Sequence, residues 1–175
     1  MSTTHELAQA IRTVPDFPRP GIQFKDITPL LSDRDLMDKA VRALAEPYGD
    51  LGVTKVLGIE ARGFLLGPML AHHLGAGFVP VRKRGKLPYH TYAEEYALEY
   101  GVDAVEIHRD ALREGDRVLI HDDVIATGGT ASAAGRLARK SGGIVLGFSF
   151  LIELGFLEGR GRLEPDVPVH AVLRY

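Results

Sequence analysis

The chain has 175 residues, of which 45% are hydrophobic and 25% charged, and its formal net charge is −2. This length and composition predict a single soluble domain over residues 1–175, without the basic excess of nucleic-acid or membrane-surface proteins. With no cysteine, disulfides, thiolate metal sites and a thiol nucleophile are excluded. The N-terminus lacks a signal-peptide pattern and no apolar stretch reaches the roughly 20 residues that span a bilayer, so we expect a cytoplasmic protein.

The first part of the chain predicts one short helix, an irregular segment, and then helix and strand in alternation. Residues 6–11 have a short helical pattern, whereas the proline-rich stretch 14–21 fits neither a helix nor a central strand. Residues 33–48 carry apolar side chains at helical spacing and predict an amphipathic helix. A β-rich run at 55–59 is followed by a helix at 64–74.

The second part continues the alternation after one long polar stretch. A strand at 78–81 leads into a basic cluster, and residues 87–105 are polar, aromatic and acidic without a clear period. They predict a long loop with at most two short strands. Three further strands and one helix follow, at 117–120, 144–152 and 167–173 and at 130–140. The alternation predicts an α/β fold with a mainly parallel twisted sheet and helices on both faces.

Three chemically rich segments each follow a predicted strand. They are residues 60–63, 82–86 and 122–130. In a parallel sheet the carboxyl ends of the strands share one edge, and ligands bind beyond that edge. We therefore expect the three segments to form one site.

Two adjacent acids and a run of small residues mark the last of these segments. Asp122 and Asp123 could simply end a strand before a flexible helix start. A buried strand, however, rarely ends in two carboxylates without a partner, because desolvating both is costly. The Ala-Thr-Gly-Gly-Thr run at 126–130 allows backbone N–H groups to approach a phosphate closely. Strand alternation places His121 opposite Asp122, which favours a packed or hydrogen-bonded histidine over a ligand.

Residues 118–130 resemble the phosphoribosyl-pyrophosphate (PRPP) fingerprint of type I phosphoribosyltransferases along their whole length. The resemblance implies the fold of that family, with Asp122 and Asp123 binding the ribose 2′- and 3′-hydroxyls. It implies Mg²⁺ near these acids, held largely by substrate oxygens and waters. It also implies a 5′-phosphate cradle formed by Ala126, Thr127, Gly128, Gly129 and Thr130.

The same resemblance implies functional roles for the two other segments. Alone, residues 60–63 are a helix start with an incidental arginine, and residues 82–86 a solvated basic loop. The first resembles the family's pyrophosphate loop, which implies that Arg62 binds pyrophosphate; that loop often carries a strained or cis non-proline peptide. Residues 81–88 resemble the adenine-specific members. They imply pyrophosphate or PRPP contacts from Arg82, Lys83 and Lys86, with Arg84 facing solvent or an interface.

Two segments resemble the base-binding and closing parts of the adenine-specific members. Residues 17–31 are similar to their N-terminal hood, contributed here by about residues 1–33; alone, Phe24 could be a core aromatic. The resemblance implies that Phe24 stacks on adenine while backbone groups near Gln23 and Lys25 read its edge. Residues 87–105 resemble the family's lid loop, and the segment 98–101 implies a proton-handling role for Glu99 near the purine.

The resemblance implies that adenine and PRPP give AMP and pyrophosphate, a purine-salvage reaction, in an enzyme that is commonly a homodimer. A phosphoribosyltransferase for guanine, xanthine or orotate is the alternative within the family, and the hood argues against it. A PRPP-sensing regulator usually carries a DNA-binding domain, for which the chain before residue 55 has no spare length. A ribose-phosphate pyrophosphokinase would need two such domains.

Overall fold

Seven strands form the central sheet in the order β5-β6-β4-β3-β7-β8-β9, and two further strands form a separate ribbon, β1-β2. The computed structural model describes residues 2–98 and 101–175. The strands are β1 (Arg12–Pro15), β2 (Gln23–Asp26), β3 (Lys55–Ile59), β4 (Gly77–Lys83), β5 (Thr91–Ala97), β6 (Val102–His108), β7 (Arg117–Ile125), β8 (Ile144–Glu153) and β9 (Val169–Arg174). The helices are α1 (Thr3–Gln9), α2 (Thr28–Leu31), α3 (Arg34–Ala45), α4 (Gly63–His73) and α5 (Gly129–Lys140), with 3-10 turns at Glu46–Tyr48, Gly155–Leu157 and Gly159–Arg162.

The sheet is mainly parallel, as predicted. Strands β4, β3, β7, β8 and β9 run parallel to one another. The hairpin β5-β6 joins the edge of β4 in antiparallel orientation. Each parallel connection passes over a face of the sheet, which leaves the loops after β3, β4, β7 and β8 at the same edge.

Alternating side chains of β7 separate two apolar layers. Val118 and Ile120 pack into one cluster with the buried face of α5. Leu119 points to the other cluster, where α1, α3 and α4 lie. The buried strand therefore carries an almost continuous apolar run, as expected for a sheet covered on both sides. The prediction of helices on both faces is confirmed.

Helix α3 shows why the local sequence folds as it does. The Asp33 carboxylate accepts hydrogen bonds from the N–H groups of Asp35 and Leu36, at 2.9 and 3.1 Å, and caps the helix. Val41 and Leu44 are buried at helical spacing against the sheet. Pro47 then follows, within a short 3-10 turn rather than a continuation of the predicted helix.

The structure corrects several predicted boundaries. Strand β7 does not end at residue 120 but continues to Ile125, so both acids lie within it. The stretch 87–105 is not mainly loop, because seven-residue strands β5 and β6 pair along their full length. Residues 12–26 form a two-stranded ribbon. Among the described residues, no helix combines the length and apolar character needed to cross a membrane.

Candidate active site

Side-chain contacts connect the three predicted segments, because the loop at residues 60–63 contacts each of the other two. Arg62 Nε lies 3.0 Å from Asp123 Oδ2, which links the loop after β3 to strand β7. Arg82 Nη2 lies 3.3 Å from Glu60 Oε2, which links the end of β4 to the same loop. The structure therefore brings residues 60–63, 82–86 and 122–130 together at one edge of the sheet, as the parallel topology predicts.

The 126–130 loop forms a cavity of about 90 Å³ together with Asp122. Gly128 adopts a left-handed conformation with φ of +79° and precedes α5, which has no side-chain cap. The first N–H groups of this 12-residue helix are therefore not occupied by a capping side chain. Backbone donors and the positive end of the helix dipole suit an anion such as a phosphate.

Asp122 and Asp123 form an acid pair beside this loop. Asp122 Oδ1 accepts a hydrogen bond from the backbone N–H of Asp123 at 2.8 Å, and the Asp123 side chain is only 3% exposed. Burial raises the pKa of Asp122, and the neighbouring Asp123 charge raises it further. Burial also raises the pKa of Asp123, while Arg62 opposes that rise. The pair would be stabilised by hydroxyl donors or by a further positive charge.

Arg62 lies between the acid pair and the N-terminal ribbon. Its guanidinium carbon is 5.0 Å from the centroid of the Phe24 ring, in a cation–π arrangement. Phe24 also packs edge-to-face on Phe17, with ring centroids 5.2 Å apart. Gln23 is exposed in β2, and Lys25 directs its ammonium 4.0 Å above the Tyr175 ring. The predicted base-stacking residue is thus connected to the predicted sugar-binding acids through one side chain.

The predicted basic segment is largely paired with acids. Lys83 Nζ lies 3.0 Å from Asp103 Oδ2, and Arg84 Nη2 lies 3.5 Å from Glu95 Oε1. Arg82 donates to Glu60 and, at 3.3 Å, to the carbonyl of Lys86, whose own side chain is exposed. An incoming polyanion would therefore exchange with carboxylates already present at Arg82 and Lys83.

His121 is not part of this cluster. His121 is fully buried, and its Nδ1 lies 2.9 Å from the carbonyl oxygen of Ser149. Burial lowers its pKa to about 4, so it is a neutral packed histidine rather than a ligand. Glu99, the predicted proton-handling residue, lies outside the described residues.

Sequence reasoning missed several polar residues that position the site. Glu60 accepts from the Arg82 guanidinium and from the backbone N–H of Lys83; its place directly after β3 was the available signal. Tyr96 donates to Asp103 at 3.1 Å, beside the Lys83 ammonium. The Glu60–Ala61 peptide bond is cis, a feature that a sequence does not reveal.

Comparison with known proteins identifies the family. The phosphoribosyl transferase domain family matches residues 30–167. The chain is 56% identical to an adenine phosphoribosyltransferase of a Synechococcus strain over 169 residues, covering 96% of this chain and 97% of that protein. It is also 56% identical to an adenine phosphoribosyltransferase of Myxococcus xanthus over 158 residues, covering 90% of this chain and 86% of that protein.

Solved structures agree with this assignment. A crystal structure of adenine phosphoribosyltransferase from Rhodothermus marinus superposes with a TM-score of 0.95 at 64% identity, covering 99% of this chain and 98% of that one. The enzyme from Saccharomyces cerevisiae, complexed with an imino-altritol bisphosphate and adenine, gives a TM-score of 0.92 at 42% identity, covering 97% and 98%. The chain has the type I phosphoribosyltransferase fold and belongs to the phosphoribosyltransferase family, among the adenine phosphoribosyltransferases.

Proposed function

We propose that this enzyme transfers the 5-phosphoribosyl group of PRPP to N9 of adenine, giving AMP and pyrophosphate in purine salvage. The observation that carries the proposal is the position of Arg62, between the Phe24 ring and the Asp123 carboxylate. Through Arg62, the residues assigned to the base, to the pyrophosphate and to the ribose are in contact with one another in space. The yeast relative bound to adenine and a bisphosphate supports the same ligand classes here.

The 126–130 loop is assigned to the 5′-phosphate. Its residues Ala126, Thr127, Gly128, Gly129 and Thr130 line the cavity that Asp122 shares. Asp122 and Asp123 would accept hydrogen bonds from the ribose 2′- and 3′-hydroxyls. This contact favours the ionised carboxylates, whose pKa values burial raises in the protein alone.

The pyrophosphate is assigned to Arg62, Arg82, Lys83 and Lys86. In the reaction the lone pair of adenine N9 forms the new bond to the anomeric carbon while the carbon–oxygen bond to pyrophosphate breaks. Negative charge develops on the leaving oxygen and positive charge on the ribose ring. The four cations stabilise the first, and the two acids stabilise the second.

Mg²⁺ is part of this proposal, and the acid pair fits it. Two neighbouring carboxylates with raised pKa values, one buried and one partly buried, are stabilised by an additional cation. Within residues 2–98 and 101–175 there is no group of three or more potential ligand side chains suited to a metal, so substrate oxygens and waters would hold most of it. When bound with PRPP, Mg²⁺ would neutralise charge on the departing pyrophosphate.

The remaining roles are assigned to the N-terminal hood and to the lid. The N-terminal hood, about residues 1–33, would place Phe24 against the adenine ring with backbone groups of Gln23 and Lys25 at its edge. Residues 87–105 would act as the lid that keeps water from the anomeric carbon, and Glu99 would take the proton that adenine loses.

A homodimer and a cytoplasmic location complete the proposal. Helix α4 has an apolar inner face that packs on the sheet. Its outer face is also apolar, because Leu65 and Met69 lie there with exposed fractions of 47% and 36%. A helix that is apolar on both sides suits a second packing partner, here another copy of the chain. PRPP is highly charged and does not cross a bilayer unaided, so its consumer must share the compartment where it is made.

The decisive experiment is product formation with PRPP, Mg²⁺ and each of adenine, hypoxanthine, guanine and orotate, read by chromatography. We expect AMP from adenine and little nucleotide from the other bases, because a mismatched base leaves buried donors or acceptors unpaired. Turnover of another base would overturn the assignment of the hood. Binding of PRPP without turnover of any base would favour a regulator.

A further inference from the structure

The loop that the proposed function assigns to phosphate is packed against a segment far from it in sequence. Residues 155–162, here called the supporting segment, follow β8 and include the buried Gly159. A methyl group placed on Gly159 would lie 2.3 Å from the carbonyl oxygen of Ala126 and 3.0 Å from Gly128 N. A methyl on Gly128 would lie 2.2 Å from the carbonyl oxygen of Gly159. Two glycine backbones are therefore in direct contact, with no room for a side chain on either.

Arg160 ties the supporting segment to the neighbouring strands. Arg160 donates from Nε and Nη2 to the two carboxylate oxygens of Glu153, both at 2.8 Å, and from Nη1 to the carbonyl of Val169 at 2.7 Å. The pairing is bidentate, which sets orientation as well as distance. Arg160 holds the pKa of the buried Glu153 below its usual range, so the pair is ionised at neutral pH.

Glu153 is placed by the sheet itself. It is the last residue of β8 and lies opposite Ile125, the last residue of β7, in the parallel ladder. The N–H of Leu154 extends the pairing by donating to the carbonyl of Ile125 at 3.0 Å. The 126–130 loop begins at the residue that follows β7. The sheet, the ion pair and Gly159 thus form a continuous chain of contacts that ends at this loop.

We propose that the Arg160–Glu153 pair acts as a positioning device for phosphate binding, by holding Gly159 against the 126–130 loop. Arg160 and Glu153 are positioning residues, since neither is in contact with the loop's cavity. The inference rests on the proposed function of the loop as the 5′-phosphate site. Its physical basis is that the backbone donors at a phosphate site must be held within a fraction of an ångström to bind well.

A matched glycine pair in the same turn tests the contact. Gly159→Ala forces a displacement of Ala126 or Gly128, whereas a methyl on Gly161 meets nothing within 4 Å. We expect Gly159→Ala to raise the Kd for ribose 5-phosphate, measured by calorimetry, and the KM for PRPP by about tenfold or more. The KM for adenine should change by less than about twofold. Gly161→Ala should resemble the wild-type protein in all three.

A second pair tests the ion pair without adding bulk. Arg160→Met should raise the same two constants, and Arg160→Lys should give intermediate values because an ammonium replaces only part of a bidentate contact. This pair decides the question if Gly159→Ala fails to fold. A role in stability alone would lower Tm and the yield of active enzyme but leave KM for PRPP unchanged, and that result would overturn the inference.

Failure of this inference can be distinguished from failure of the proposed function by measuring ribose 5-phosphate binding and AMP formation separately. Wild-type protein that binds ribose 5-phosphate but makes no AMP would overturn the assigned reaction, while the Kd comparison would still decide the inference. Wild-type protein that binds no ribose 5-phosphate would overturn both. Equal Kd values in Gly159→Ala and Gly161→Ala would overturn the inference alone.

Discussion

At the scale of single residues, Arg62 connects most of the site, because it touches both a buried carboxylate and an aromatic face. We predict that Arg62→Gln lowers kcat/KM by about 100-fold, since it removes a charged donor from the leaving group. Arg62 also opposes the rise in the pKa of Asp123. Without it that pKa rises further, so the acidic limb of the kcat/KM profile should move to higher pH.

Arg42→Gln is a suitable control, because Arg42 pairs with Asp38 on the exposed surface of α3, away from the site. It should leave both the rate and the pH profile near wild type. An unchanged acidic limb in Arg62→Gln would contradict the link between Arg62 and the acid pair, even if the rate fell.

His121 gives a prediction about stability rather than catalysis. Burial lowers its pKa to about 4, so the folded state resists a proton that the unfolded chain accepts near pH 6.5. The titration of His121 alone should therefore lower the free energy of unfolding by about 3 kcal/mol as the pH drops from 6.5 to 4. The raised pKa values of Asp122 and Asp123 act in the opposite direction, so the contribution of His121 is the difference between the wild-type protein and a variant without this histidine. Urea unfolding at several pH values would measure this decrease.

His121→Leu serves as the comparison, because it removes the titrating imidazole and puts an apolar side chain of similar size in its place. We expect its stability to vary less between pH 6.5 and 4 than that of the wild-type protein. The carboxylates stabilised by cations, such as Glu153, remain in both proteins. Parallel stability curves would show that His121 is not the group responsible.

Residue types and spacing indicated which side chains belong to the site or to the interior. They did not indicate which other side chains these residues contact. Strand alternation was enough to place His121 in the packed interior, opposite Asp122. The contact of Arg62 with Phe24 joins residues 38 positions apart in sequence, and it depends on how the ribbon β1-β2 folds over the sheet. No local pattern contains that information.

At the scale of elements, the hairpin β5-β6 is attached to α5 by specific contacts. Arg136 donates to the Glu94 carboxylate at 2.8 Å and to the carbonyl of Glu95 at 2.9 Å. Partly exposed ion pairs of this kind contribute about 0.2–1 kcal/mol. We predict that Arg136→Gln increases amide hydrogen exchange in β5 by about two- to fivefold and increases hydrolysis of PRPP relative to transfer.

Arg139→Gln offers a matched change on the same helix, because Arg139 pairs with Glu164, which lies between β8 and β9. It should leave exchange in β5 unchanged. If Arg136→Gln exchanged like Arg139→Gln, the contacts of Arg136 would not hold the hairpin, and its role in closing the site would lose support.

Two element boundaries were mispredicted for physical reasons. The adjacent acids indicated the end of a strand at residue 120, yet the ladder with β8 continues through Asp122 to Ile125. The sheet edge at the carboxyl end of this strand is the proposed binding site, and functional sites are where local rules are commonly broken. In the hairpin, both faces are partly exposed, so the alternation that marks a half-buried strand is weak.

At the scale of the whole molecule, the parallel sheet made the site predictable. Alternating strands and helices were enough to infer that three separated segments meet at one edge, and the contacts of Arg62 and Arg82 confirm that they do. The contact between Gly128 and Gly159 was not predictable, because the two residues come from loops after different strands. Their approach depends on strand register and on the Arg160 ion pair.

The outer face of α4 leads to a prediction about assembly. Leu65 and Met69 are exposed one turn apart, beside the cavity that Met69 lines with Pro68 and His72. If a second copy covers this face, charges placed there lose their water and disfavour association. We therefore predict that the double change Leu65→Glu with Met69→Glu converts a dimer, at twice the 19.1 kDa chain mass, into a monomer in sedimentation experiments. Ile144→Glu is the control, because Ile144 is 48% exposed, as much as Leu65, but lies at the start of β8; this variant should stay dimeric. A double variant that remains dimeric, or a wild-type protein that sediments as a monomer, would show that α4 is not the interface.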